Sequence, residues 1–205
     1  MQKILILFAH PALQRSRINK KLIASIENME GVTVNDLYEE YPDLHIDVQR
    51  EQALLLENDV IILQHPFYWY STPAILKEWQ DMVLQHGWAY GHEGRMLKDK
   101  ITFNAITTGG PEKAYTTDGY NHHTMRQLLA PLEQTANLCR MTYLAPFVIH
   151  GTHLMDQQHL QGHVNDYRQL LKALVNDELD LARATQADRI NADLSSLLRG
   201  APDVR

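Results

Sequence analysis

Short apolar runs recur along the chain and alternate with segments of helical periodicity. Residues 3–8 contain the run Ile-Leu-Ile-Leu-Phe, and residues 60–63 read Val-Ile-Ile-Leu. Continuous runs of this length are typical of strands that are buried on both faces of a sheet. Together with an alternating segment near residue 34, such runs predict five strands, at 3–8, 32–37, 60–63, 101–107 and 146–150.

Between the strands, apolar residues recur at helical spacing. Ile18, Leu22 and Ile26 share one face of a helix predicted over residues 16–29. Thr72-Pro73 is a typical helix start, because Thr caps well and Pro suits the first helical position. Further helices are predicted near residues 48–57, 125–136 and 167–175.

Strands that alternate with helices predict the α/β class, with a doubly wound parallel sheet covered on both faces. We expect one domain over residues 1–180. Residues 181–205 lack strong periodicity, so they are expected to form a loosely packed helix or tail of unknown role. Sheets of this kind bind ligands beyond the carboxyl ends of their strands. The loops after the first, third and fourth strands are therefore the candidate site.

The first of these loops leads into a helix. Ser16, Arg17, Ile18 and Asn19 stand where that helix begins, and His10 follows the strand. Free N–H groups and the positive dipole end of a helix favour a phosphate. Ser16 and Asn19 would donate hydrogen bonds to it, and His10 and Arg17 would add positive charge. An ordinary Ser N-cap with exposed arginines remains the alternative.

The second loop carries four consecutive aromatic residues, Phe67, Tyr68, Trp69 and Tyr70, at a strand end. They cannot all face one core. A flat aromatic ligand explains them, since their rings offer stacking and edge contacts. A packed corner or a subunit interface is the alternative.

The third loop reads Thr107-Thr108-Gly109-Gly110. Its glycines would let the backbone pass close to a ligand, although Gly-Gly is also a common turn. Phosphate donors, a stacking surface and an open backbone at one sheet edge together predict a phosphorylated planar cofactor.

Charge and composition narrow the function further. A net charge of −6 gives no overall attraction for nucleic acid or anionic lipid. The single cysteine excludes an internal disulfide, and the histidines lack acidic or thiol partners at metal-binding spacing, so no metal site is expected. Because no apolar stretch is long enough to span a membrane, we expect a cytoplasmic protein, or one held at a membrane through a partner.

The chain resembles the flavodoxin-like NAD(P)H:quinone oxidoreductases of the DT-diaphorase group. More closely, it is similar to the ancillary subunits of glutathione-gated potassium efflux systems. The resemblance covers about residues 3–175. It rests on Ala9-His10-Pro11, Ser16-x-x-Asn19, Asp43-x-x-Ile46-Asp47, Gln64-His65-Pro66-x-x-Trp69-Tyr70-Ser71, Leu76-Lys77-x-Trp79, His86-Gly87-Trp88-Ala89-Tyr90-Gly91 and Thr107-Thr108-Gly109-Gly110.

The resemblance implies a strand order of 2-1-3-4-5 and a flavin bound at the three loops. The expected contacts are His10, residues 16–19, residues 67–70 and residues 107–110. FMN is favoured over FAD, because the loop at 11–15 is short. NAD(P)H is the implied reductant and a quinone the acceptor. The resemblance also implies a homodimer and docking on a membrane potassium/proton antiporter from the cytoplasmic side.

The catalytic residues carry over less directly. In the DT-diaphorase group a Tyr after the Thr-Thr-Gly-Gly motif is followed six residues later by a His. Tyr115 matches the Tyr, but Asn121 stands at the His position. His122 takes that role only if the loop shifts by one residue. We therefore expect Tyr115 and His122 as catalytic residues.

The implied function is an NAD(P)H dehydrogenase (quinone) that transfers a hydride to a quinone and also serves an efflux antiporter. A purely regulatory flavin-binding subunit, with incidental redox activity, is the alternative. A one-electron flavodoxin carrier is disfavoured, because those proteins begin with a Thr/Ser-rich phosphate loop that is missing after the first strand here.

Overall fold

The apolar runs form the centre of a parallel sheet. The computed structural model describes residues 1–201. Within that range the strands are β1 (Ile4–Phe8), β2 (Val32–Asp36), β3 (Val60–Pro66), β4 (Ile101–Thr107), β5 (Thr142–Tyr143) and β6 (Phe147–Ile149). Every residue of β1, β3 and β4 is buried, as continuous apolar runs predict.

The strands pair in the order β2-β1-β3-β4-β5, and all pairs are parallel. This confirms the predicted α/β fold and strand order. The fifth position differs in detail, because β5 and β6 pair with successive parts of β4. The break falls at Ala145, whose N–H donates to the carbonyl of Ala184, and at Pro146, which has no N–H.

Helices cover both faces of the sheet. They are α1 (Arg17–Ile26), α2 (Leu37–Glu40), α3 (Val48–Glu57), α4 (Ala74–Val83), α5 (Met125–Leu128), α6 (Ala130–Leu138), α7 (Gln157–Val175) and α8 (Leu181–Gln186). Pro73 is the N-cap of α4, so that helix begins one residue later than Thr72-Pro73 predicts. Among residues 1–201, no helix is both long and apolar enough to cross a membrane.

Alternate side chains of β1 separate the core into two layers. Ile4, Ile6 and Phe8 pack with α1 and α7 on one face. Leu5 and Leu7 pack with α3 and α4 on the other. Successive side chains of a strand point to opposite faces, so one apolar run supplies both layers.

The C-terminal segment packs into the first of these layers. Ala184, Ile190, Leu194 and Leu197 are buried in the same cluster as α1 and α7. The expectation of loose packing is therefore wrong for residues 181–201, while 202–205 lie outside the described residues. The segment shows no single period because it consists of α8 and two short 3-10 turns.

We expect Ile190→Ala to lower the free energy of unfolding by about 2–5 kcal/mol, because it empties a fully buried site. The matched control is Gln186→Ala, at an exposed position in the same segment, which should change stability by less than about 0.5 kcal/mol. Urea unfolding measures both variants. If both variants changed stability by equally small amounts, the C-terminal segment would not be packed as described.

Candidate functional site

A cleft of about 930 Å³ opens at the carboxyl edge of the sheet. The loops after β1, β3, β4 and β6 form its walls. The predicted site residues that line it are His10, Ser16, Arg17, Ile18, Phe67, Tyr68, Thr107 and Gly109. Parallel strands bring their carboxyl ends to one edge, so residues far apart in sequence meet here.

The start of α1 forms one end of the cleft. The Ser16 Oγ accepts hydrogen bonds from the Asn19 backbone N–H and from Asn19 Nδ2, both at 3.2 Å. It therefore keeps its own proton to donate to a ligand. The first N–H groups of a helix have no partner within it, and those of Arg17 and Ile18 belong to residues that line the cleft. This arrangement suits an anion.

Asn19 lies behind this wall rather than in it. Its side chain is buried, and Nδ2 also donates to the Thr107 Oγ1 at 3.1 Å. The amide thus joins the start of α1 to the end of β4. Its Oδ1 is buried and has no hydrogen-bond partner among residues 1–201. Asn19 positions Ser16 and Thr107, and does not itself line the cleft.

His10 provides a neutral donor. Its Nδ1 accepts from the Ala12 N–H at 3.1 Å, which leaves the proton of the neutral ring on Nε2. Burial lowers the pKa of His10 below its ordinary value of 6.5. The expectation that His10 adds positive charge is therefore wrong. The positive side chains here are Arg15 and Arg17, and the Arg17 guanidinium also donates to the carbonyl of Met155.

The aromatic residues sit on a strained turn. The Ser71 N–H donates to the Tyr68 carbonyl at 3.0 Å, and the two central residues, Trp69 and Tyr70, both have positive φ. Positive φ is costly for bulky side chains and concentrates at functional sites. Phe67 and Tyr68 line the cleft, whereas the Trp69 side chain is 91% exposed.

The glycine loop is crowded by side chains that cross it. A Cβ on Gly109 would overlap the His153 imidazole, and one on Gly110 would lie 3.1 Å from the Tyr115 ring. The Tyr115 hydroxyl is 2.5 Å from the Thr108 Oγ1. Tyr115 therefore folds back on the loop and lines a neighbouring depression rather than the main cleft.

The structure separates the other predicted catalytic residue from the cleft. His122 is exposed on the segment before α5 and is not among the residues that line the cleft. Its neighbour Asn121 accepts a hydrogen bond from the Tyr70 hydroxyl at 3.1 Å. Asn121 thus contacts the aromatic loop from the position where the DT-diaphorase group has its His.

One wall of the cleft was not predicted from the sequence. This wall consists of four residues that follow β6, namely Thr152, His153, Leu154 and Met155. The Thr152 N–H donates to the Thr108 carbonyl, which ties this wall to the end of β4. The signal was available, because the fifth predicted strand ends at the same edge of the sheet as the other four.

A buried hydrogen-bond chain supports the cleft from behind. The His65 Nδ1 lies 3.0 Å from the Pro66 carbonyl, so Nδ1 is the donor and Nε2 accepts from Asn104 Nδ2 at 3.1 Å. The Tyr143 hydroxyl donates to Asn104 Oδ1 at 2.6 Å. Burial lowers the pKa of His65 to about 4. The chain orients Pro66, which lines the cleft.

Comparison with known proteins agrees with the observed fold. A sequence model for the flavodoxin-like fold matches residues 2–171. This chain belongs to the flavodoxin-like family. The match covers the sheet and most of α7, and α8 and the segment after it lie outside it.

Within the flavodoxin-like family, the chain is similar to the glutathione-regulated potassium-efflux system ancillary protein KefG of Shigella flexneri serotype 5b. The two are 46% identical over 165 residues, which are 80% of this chain and 90% of KefG. Among solved structures, general stress protein 14 of Treponema denticola in complex with FMN is 36% identical, with a TM-score of 0.80 over 84% of this chain and 99% of that one. An NADPH-quinone reductase from P. pentosaceus is 35% identical, with a TM-score of 0.76 over 82% and 96%.

The buried His65 predicts a pH-dependent stability. Its folded pKa of about 4 lies below the ordinary 6.5, so the unfolded chain takes up a proton first as the pH falls. The stability that the neutral His65 contributes is present above pH 6.5 and is lost as the pH falls towards 4. Between pH 6.5 and 5, we expect wild-type protein to lose about 1–2 kcal/mol more than His65→Leu.

Urea unfolding at the two pH values measures this difference. The control is His92→Leu, at an exposed position, which should retain the wild-type pH dependence. Parallel losses in the wild type and His65→Leu would contradict a neutral, buried His65.

Proposed function

We propose that this protein binds FMN in the cleft and transfers a hydride from NAD(P)H to a quinone, as an NAD(P)H dehydrogenase (quinone). The observation that carries the proposal is the meeting of three features in one cleft. These are the start of α1, the aromatic residues after β3 and the glycine backbone after β4. The FMN complex of one relative and the quinone reductase name of another support it.

The α1 end of the cleft fits the FMN phosphate. The Ser16 hydroxyl, the N–H groups of Arg17 and Ile18, and the neutral His10 would donate hydrogen bonds to it. Arg15 and Arg17 would balance its charge. Asn19 would act from behind by holding Ser16 in place. The smaller FMN remains favoured over FAD, because the Met155 wall is tied to α1 through Arg17.

The other end fits a flat ring. Phe67 and Tyr68 offer aromatic contacts, and the remaining aromatic residues, Trp69 and Tyr70, hold the turn that presents them. The Gly110 N–H is engaged by the Thr108 Oγ1 at 3.3 Å, so the N–H of Gly109 is the better donor to a ring edge. FMN supplies hydride chemistry when bound, and the protein supplies orientation and polar contacts.

Tyr115 is the proposed proton donor or hydrogen-bond donor to the quinone oxygen, with His122 as a weaker candidate. The Tyr115 ring lies edge-on to Phe67, at 6.3 Å between centroids, so its hydroxyl stays near the cleft although it bonds Thr108. Reaching the substrate requires a turn of that hydroxyl away from Thr108.

The KefG relationship supports a second role. We propose that the protein also acts as a homodimeric ancillary subunit of a potassium/proton antiporter, held at the cytoplasmic face of the membrane through that partner. KefG is named as an ancillary protein of a glutathione-regulated potassium-efflux system, and it aligns with most of this chain. The exposed Trp69 offers aromatic surface for a subunit contact near the cleft.

An absorbance spectrum of the purified protein tests FMN binding and reduction. We expect flavin bands that bleach when NADPH is added without oxygen. Ser16→Ala should weaken FMN binding roughly tenfold or more, because it removes a donor to a charged group. Ser25→Ala, near the other end of α1, is the matched control and should bind FMN as the wild type does. Protein without flavin bands even after reconstitution with FMN would refute the site.

Replacement of Tyr115 by Phe tests its role in turnover. We expect kcat for quinone reduction to fall roughly tenfold or more, with FMN retained, since only a hydrogen bond made during reaction is lost. Tyr120→Phe changes an exposed tyrosine of the same loop and should leave kcat unchanged. If kcat of Tyr115→Phe equals that of the wild type, Tyr115 takes no part in catalysis.

A further inference from the structure

A second cavity lies on the far side of the wall that closes the cleft. It has a volume of about 380 Å³ and shares Leu154 and Met155 with the cleft. Its other walls come from the end of β6, the first turns of α7 and the C-terminal segment around Arg189. Two of its lining residues, Arg189 and Asn191, lie beyond residue 171 and therefore outside the family match.

Three buried nitrogen atoms, on side chains that line this cavity, have no hydrogen-bond partner among residues 1–201. They are His150 Nδ1, His163 Nδ1 and Arg189 Nε. They come from three separate elements, the end of β6, α7 and the C-terminal segment. A buried polar atom left unpaired costs about 1–3 kcal/mol. Three such atoms around one cavity point to a partner supplied from outside the chain.

Charge and protonation identify the kind of partner. Burial, together with the nearby Arg189 charge, lowers the pKa of His150 to about 4, and burial also lowers the pKa of His163. Both rings are neutral near pH 7, and each has one N–H to donate. The Arg189 Nη1 is held by Glu112 at 2.7 Å, while its Nε–H has no partner among residues 1–201. Asp156 also lines the cavity, but its side chain is exposed and paired with His159.

We propose that this cavity binds a small organic anion, a carboxylate or a phosphate ester. Its oxygens would accept hydrogen bonds from the Arg189 Nε–H and from the imidazoles of His150 and His163, once these side chains turn their buried nitrogens towards the cavity. Guanidinium groups match such oxyanions in geometry and charge. Val148, Leu154 and Met155 provide an apolar surface for the body of the ligand. The site is separate from the FMN cleft and does not depend on the proposed function.

The choice of an anion over water rests on the arginine. Guanidinium has only donors, so the bound molecule must present an acceptor to Nε–H. A single water would satisfy the three atoms only in part, whereas the cavity volume falls in the range of small-molecule sites. Glu112 balances one unit of positive charge but leaves the Nε–H donor unpaired.

Calorimetric titration of the full-length, FMN-treated protein tests the proposal, with phenyl phosphate and benzoate as probes. We expect saturable binding of at least one probe. Arg189→Gln and His163→Gln should each weaken it about tenfold or more. Arg199→Gln changes an exposed arginine of the same segment, paired with Asp177, and should leave binding unchanged. The probe that binds more tightly identifies the head group.

Two results would overturn the proposal. Absence of saturable binding for both probes would mean that water fills the cavity. Binding that is lost in Ser16→Ala but kept in Arg189→Gln would place the anion at the start of α1 instead. Circular dichroism of each variant checks folding, and His163→Gln keeps the test valid if Arg189→Gln does not fold. Because the variants report on different cavities, failure here is distinguishable from failure of FMN binding.

Discussion

The three central strands, β1, β3 and β4, run parallel and are buried along their whole length, so their backbone groups must all pair within the sheet. The register that achieves this sets Phe8 beside Gln64, and Gln64 beside Ala105. β3 and β4 therefore end together, and β1 ends two residues before them at the same edge. His10, Phe67 and Thr107 meet at one edge for this reason, and no local preference of their loops would have brought them there.

Burial on both faces also forces the polar side chains of the core to find partners. Glu51 is fully buried, and its carboxylate accepts hydrogen bonds from Asn35, Tyr41, Arg50 and Trp79. These donors come from β2, the end of α2, α3 and α4, so one carboxylate fixes the second layer. A buried charge is tolerated only when it is satisfied in this way. The hydrogen bonds between His65 and Asn104 likewise satisfy buried polar groups inside the sheet.

The loop after β6 links the two cavities. Met155 contributes to both, and its carbonyl accepts the Arg17 guanidinium from the start of α1. A ligand in either cavity would therefore contact the same short wall. The C-terminal segment, which supplies Arg189, belongs to this arrangement because it packs into the core rather than extending from it.

Local pattern determined much of the fold and part of the site. Continuous apolar runs predicted the central strands, and the residues at the start of α1 predicted an anion site, because both depend on neighbours in sequence. Tertiary contacts decided the packing of Ile190, the neutral state of His10 and the placement of Tyr115 outside the lining of the cleft. These contacts join residues that are distant in sequence, through burial, hydrogen bonds and shared cavities. They therefore leave no periodic pattern in the local sequence. The sequence by itself therefore determined which edge of the sheet would carry the chemistry, and only the tertiary structure decided which side chains face the ligand there.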